Sequence, residues 1–96
     1  MHPDHAALAG AVGEAARRTR LLFADYAYDS WVQVRPTHVI DIGAVWERKR
    51  RAIEQFRSQL VYNDYLRAMT GLNAARSVFL PFAQYVEAFE RIEHPW

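Results

Sequence analysis

No cysteine occurs in the 96 residues of this chain, so no disulfide and no thiolate-bound metal can hold it together. Whatever it folds into must be held by side-chain burial and backbone pairing alone. A domain of this size buries somewhat over ~60% of the surface its unfolded chain exposes, which leaves little margin. The composition supplies the means: 51% of the residues are apolar, and three Trp, five Tyr and five Phe are many for one small core. Some of that aromatic surface is expected to stay exposed or to meet another piece of protein. With 24% charged residues on this apolar background, the chain is not of the disordered class. The formal net charge of +1 gives no global field toward nucleic acid or a membrane. No apolar run approaches the ~20 residues of a membrane span. The first residues also lack the basic-then-apolar order of a signal peptide. A single cytoplasmic domain over residues 1–96, without a membrane span, is the expectation.

Hydrophobic spacing then divides the chain. Asp4 to Thr19 reads as a helix capped by Asp4, with Leu8, Ala11, Val12 and Ala15 on one stripe. Arg17, Arg18 and Arg20 close it where cations suit the helix dipole. Two strand-like runs follow, "LLFADYAY" and "THVIDI", the second bounded by Pro36 and Gly43. The "DSWVQVRP" between them is expected to be irregular or partly extended. Asp41 is placed to cap a long helix from about Ala44 to Leu60, along which Val45, Lys49, Ala52, Ile53, Phe56 and Leu60 follow the helical period. Ile53, Phe56 and Leu60 should be buried there, and Arg50, Arg51 and Arg57 exposed. The spacing of Tyr62, Tyr65, Leu66 and Met69 predicts a third helix, stopped by Gly71. Phe82, Tyr85, Val86 and Phe89 repeat at helical spacing too, although a strand or a docked extended tail can carry the same residues. The element order points to an α/β architecture, with at least two helices on a short, mostly parallel sheet.

The residues that carry chemistry stand at the start. "HPDH" places His2 and His5 three residues apart at the beginning of a helix, with Pro3 stiffening the backbone between them. Two imidazoles fall short of a zinc site, which takes three or four protein ligands. The same spacing therefore also suits a capping aspartate flanked by two exposed histidines. The basic run "ERKRR" is interrupted by Glu47 and Glu54, which makes it a solvated helix face and not a nucleic-acid surface.

"HPDH" followed by an alanine-rich helix resembles the second conserved motif of the PIG-L/LmbE family, zinc-dependent deacetylases acting mainly on N-acetylglucosamine-type amides. The likeness continues in order through "YDSW", "THVIDIGAVWERKRRAIEQFRSQL" and "YVEAF". These are similar to the family's aromatic–acid–aromatic strand, its Val-Asp-Ile run ahead of a helix, its Lys…Ser-Gln helix and its Tyr-Ala-Glu-Ala-Phe close. Nearly the whole chain, from His2 to Ile92, is covered. The resemblance implies a partial Rossmann-like (LmbE-like) three-layer fold, a helix-rich fragment with a short sheet remnant. It also implies roles. His5 falls on a zinc ligand, His2 on the group that meets the tetrahedral oxyanion beside the scissile carbonyl, and Asp4 on the residue that supports the orientation and charge of that histidine.

The family's other site motif, a His-Pro-Asp-Asp-type loop, supplies two further zinc ligands and the general-base aspartate. It has no counterpart in this sequence: His38 precedes a strand-like run and His94 lies in the tail. The resemblance thus leads to the C-terminal part of a deacetylase domain, carrying part of a site for an N-acetylated sugar or related small molecule. Alone it should bind zinc weakly and be inactive, the remainder coming from a partner chain or an N-terminal half. The competing expectation is a non-catalytic fragment whose exposed aromatics mediate association.

Overall fold

In the computed structural model, which describes residues 3–20, 24–29, 34–56 and 64–93, a proline opens the first helix. Helix α1 spans Pro3–Thr19. Proline suits this first position because its missing N–H would have no partner there. Asp4 consequently lies inside the first turn and is not the residue that caps it. Its expected apolar stripe is also overturned. Gly13 and Ala16 are buried and Val12 half-buried, whereas Ala11 and Ala15 are exposed and Leu8 is 65% exposed. The helical period is the one expected, but its inward face is the one with the least side chain. At the far end Glu14 accepts hydrogen bonds from Arg18 at 3.0 Å and Arg17 at 3.3 Å. Arg20 then leaves the helix in the left-handed region (φ 50°), with its N–H reaching the Arg17 carbonyl at 3.4 Å.

The chain divides into two compact units, Met1–His38 with Phe89–Trp96, and Val39–Ala88. In the first, strand β1 (Tyr26–Tyr28) pairs antiparallel with the chain from Phe89 to Arg91, Tyr28 lying opposite Phe89 and Tyr26 opposite Arg91. The Ile92 N–H donates to the Asp25 carbonyl at 2.9 Å and continues the ladder. Tyr26 and Tyr28 meet the Phe89 ring on one face, at centroid distances of 6.5 and 5.4 Å.

Strand β2 (His38–Asp41) leads into the second unit, where the Ile42 N–H donates to the Tyr85 carbonyl at 3.0 Å. Asp41 is the last strand residue, and its carboxylate accepts the Gly43 N–H at 2.9 Å. It thus opens a single 3-10 turn, Gly43–Val45, and does not cap the helix that follows. That helix, α2, is Trp46–Glu54, shorter than the spacing predicts. Trp46 and Ile53, seven residues apart, are its buried pair. Phe56, expected in the core, is 61% exposed, because the chain leaves α-helical phase before it: its N–H turns back to the Ile53 carbonyl. Arg51 is exposed, as the periodicity requires, whereas Arg50 is only half-exposed, its guanidinium held by Glu47 and Glu54; Arg57 and Leu60 lie outside the described residues.

Helix α3 is Tyr65–Arg76, and Asp64 caps it by accepting the Arg67 N–H at 3.0 Å. The helix runs through Gly71, the expected stop. A glycine inside a helix costs about 1 kcal/mol relative to alanine, too little to end one that buries Met69 and Asn73. A 3-10 turn, Ser77–Phe79, follows. Next comes a tight turn closed by the Ala83 N–H on the Leu80 carbonyl at 3.2 Å. Pro81 and Phe82 are its central residues and Phe82 has φ 69°, the arrangement of a type II turn with an aromatic in the glycine position. The left-handed region costs a side-chain-bearing residue about 1–2 kcal/mol.

The last segment, read at helical spacing, is strand β3 (Val86–Arg91). Buried Val86 and Ala88 alternate with half-buried Glu87 and Phe89, which is the period of a strand. The three strands form one antiparallel sheet in the order β1-β3-β2. The chain is therefore mixed α/β, but the mostly parallel sheet is overturned. Its central strand comes from the stretch that the helical spacing had claimed, and it runs against both neighbours. No helix among the described residues is long and apolar enough to cross a membrane.

Candidate functional site

Because Pro3 starts α1, Asp4 and His5 both sit in its first turn, and both are exposed. Neighbouring residues on a helix project about 100° apart, so the two side chains do not converge on one point. His2 lies outside the described residues. Among those described, no group of three or more His, Cys, Asp or Glu is placed to hold a metal ion. A catalytic zinc takes three protein ligands, so the described donors do not by themselves fit a zinc site.

His38, in the same unit, lies edge-on to Tyr26 with ring centroids 5.1 Å apart. Its Nδ1 is 2.9 Å from the Thr37 hydroxyl, which in turn accepts the Arg91 N–H at 2.8 Å. The same hydroxyl lies 3.4 Å from the Phe89 carbonyl, and whether it donates to Nδ1 or accepts from it follows the tautomer of His38. Asp29, the acid of "YDSW", is buried just beyond β1.

Among the described residues, a part-buried polar cluster lies in the second unit. Lys49 of α2 donates to Asn73 Oδ1 of α3 at 2.7 Å and to Glu87 Oε2 of β3 at 2.8 Å. Asn73, 1% exposed, donates from Nδ2 to the Val86 carbonyl at 3.1 Å. Beside this cluster along the chain, Trp46 stacks on Tyr85 with centroids 4.1 Å apart and planes 10° from parallel. The arrangement joins three elements and satisfies its own polar atoms. Among the described residues, no buried side-chain nitrogen or oxygen lacks a partner. Charge-assisted hydrogen bonds at these distances tie α2 to both α3 and β3.

No family model, curated protein or solved structure matches the chain. Two of the stretches that carry the family resemblance meet directly, through Lys49 with Glu87 and Trp46 with Tyr85. Sequence reasoning placed the Lys49 stem along the helix stripe but missed Asn73. The signal was present: Asn73 follows Leu66 and Met69 at helical spacing, and is visible as an inward residue once the helix is carried past Gly71.

Proposed function

We propose that this chain supplies one side of a zinc-dependent N-deacetylase site of the PIG-L/LmbE type, for an N-acetylated sugar or related small molecule. The observation that supports the reading is "HPDH" at the head of an alanine-rich helix, with Asp4 and His5 in its first exposed turn. His5 contributes one ligand. His2 donates a hydrogen bond to the oxyanion that forms on the acetamide carbon, and Asp4 orients and charges that imidazole. The other ligands and the general base come from residues outside this sequence.

Titration calorimetry with zinc, on the full chain and on His5→Ala, tests the division of the site. The chain alone should show no sub-micromolar binding and no hydrolysis of N-acetylglucosamine derivatives. With a segment carrying the His-Pro-Asp-Asp loop supplied in trans, both should be gained. His5→Ala should then abolish metal binding, and His2→Ala should spare metal and slow turnover. Sub-micromolar binding by the lone chain that His5→Ala removes would refute the shared site. Failure of every complemented mixture to bind zinc would refute the family reading.

A second reading, a module that associates through exposed aromatics, has its own support in the segment from Val78 to Phe82, where Val78, Phe79 and Phe82 are exposed.

A further inference from the structure

Successive N–H groups of a central strand turn to opposite neighbours. In β3 the Ile92 N–H goes to the Asp25 carbonyl beside β1, and the Arg91 N–H turns to the β2 side. Strand β2 begins only at His38, and the group that receives the Arg91 N–H, at 2.8 Å, is the Thr37 hydroxyl. The Thr37 N–H closes the same join by donating to the Phe89 carbonyl at 2.8 Å. A main-chain donor of the sheet thus relies on a side-chain oxygen. That oxygen is shared with a titratable ring, His38 Nδ1 lying 2.9 Å away. The ring is exposed and reaches Tyr26 of β1, edge-on at 5.1 Å. All of these residues belong to one compact unit.

A hydroxyl has one proton to give and two lone pairs with which to accept. One lone pair takes the Arg91 N–H. Two acceptors then compete for the proton, Nδ1 at 2.9 Å and the Phe89 carbonyl at 3.4 Å. An imidazolium carries a proton on both nitrogens, so it can only donate. We propose that Thr37 and His38 form a proton-directed clasp at this end of the sheet. While the ring is neutral the hydroxyl donates to Nδ1, the nearer acceptor. When the ring is charged the hydroxyl accepts Nδ1–H and turns its own proton to the Phe89 carbonyl. Charging the ring therefore adds a side-chain bond from Thr37 to the central strand. Histidine is the side chain that ordinarily changes charge between about pH 5 and 8. Among the described residues, Tyr26 and Arg91 share the ring's end of the sheet, and the Arg91 guanidinium lies 3.7 Å from Glu93. Asp25 and Glu90 alternate with them to the other face, where Glu90 accepts the Arg35 N–H. On β2 itself, the Asp41 carboxylate is taken up by the Gly43 N–H. The clasp is separate from the deacetylase reading and uses none of its residues.

A nuclear magnetic resonance titration of the full chain, from about pH 5 to 8, tests the clasp. At the alkaline end the His38 ring nitrogens should show the proton on Nε2 and a lone pair on Nδ1. As the ring gains its second proton, the Phe89 carbonyl carbon and the Arg91 amide should shift with the same midpoint. Carboxylates ordinarily titrate about two units below an imidazole, so a shared midpoint is not theirs. In Thr37→Val the ring still titrates beside the strands, but those two backbone shifts should lose most of their amplitude. Thr37→Ser, which keeps the hydroxyl, should retain the coupling. A neutral ring protonated on Nδ1 overturns the proposal, because the hydroxyl would then have no new acceptor to find. So does a Phe89 carbonyl that ignores the ring, or one that follows it equally in Thr37→Val, where only the direct field of the ring remains. Loss of the coupling in Thr37→Ser overturns it as well.

Discussion

The unit Val39–Ala88 buries Ile42, Trp46, Ile53, Met69, Val86 and Ala88. The unit of Met1–His38 with Phe89–Trp96 buries, among its described residues, Gly13, Ala16 and Asp29. Among the described residues the difference is one of side-chain volume. Full burial of a large aliphatic side chain is worth about 1.5–3 kcal/mol, whereas a glycine or alanine contributes little. The first of these units has a side-chain core, tied by the Lys49–Asn73–Glu87 cluster. Among its described residues the second shows the pairing of β1 with β3 and the contacts of the Tyr26, Tyr28 and Phe89 rings. Asp4 and His5 stand on the helix of that unit.

The contrast can be broken most directly by truncation. Met69→Ala should cost about 2–5 kcal/mol in denaturant unfolding, since a fully enclosed side chain leaves a cavity. Leu8→Ala on α1 should stay within about 0.5 kcal/mol, as for an ordinary surface position. Equal losses at the two sites would erase the distinction between the units.

A smaller effect is expected from the polar cluster. Asn73→Ala removes one acceptor of Lys49 and the donor to the Val86 carbonyl. It should destabilise by about 1–3 kcal/mol, the cost of stranding buried polar partners. Glu87→Gln should lose less, because the Lys49–Asn73 bond remains; urea titrations of the two variants give the comparison.

Phe56→Ala should cost under about 1 kcal/mol, because a side chain this exposed has little transfer energy to lose. The helical spacing, which puts Phe56 inward, predicts about 3–5 kcal/mol. One unfolding curve separates the two.

The smallest effect concerns α1. Hydrogen bonds from Arg18 and then Arg17 hold the Glu14 carboxyl below its ordinary value of 4.5. A folded pKa below the unfolded one contributes stability that is complete above the unfolded value and is lost as pH falls through the folded one. The exposed setting keeps the contribution small. Helicity followed by circular dichroism should therefore fall slightly below pH ~4.5, and Glu14→Gln should remove that dependence.

Where a segment's own pattern dictates its state, the sequence was sufficient. The run from Pro3 to Thr19 is alanine-rich and ends in arginines, and it is a helix; "HVID", β-branched and bounded by Pro36 and Gly43, is a strand. The motif "HPDH" was equally legible, since it needs only residue types and their order. The phase of α1 was not. Several of its faces are almost equally small, and which one turns inward depends on what approaches it. Phe56 misled because periodicity cannot tell where a helix stops, and α2 stops at Glu54. Gly71 misled in the opposite sense, its modest propensity cost being outweighed by burial of Met69 and Asn73.

The segment around Val86 states the division most clearly. Val86 and Phe89 fit the spacing of a helix, and Val86 and Ala88 fit that of a strand, so local pattern leaves both open. The tertiary structure decides for the strand, because β1 supplies backbone partners for Phe89 to Arg91 and Asn73 satisfies the Val86 carbonyl. By itself the sequence determined a disulfide-free α/β chain with its candidate ligand His5 near the start of a helix. Only tertiary contacts decided the direction of the sheet, the membership of the core and the place of Asn73 within it, because each depends on partners distant along the chain.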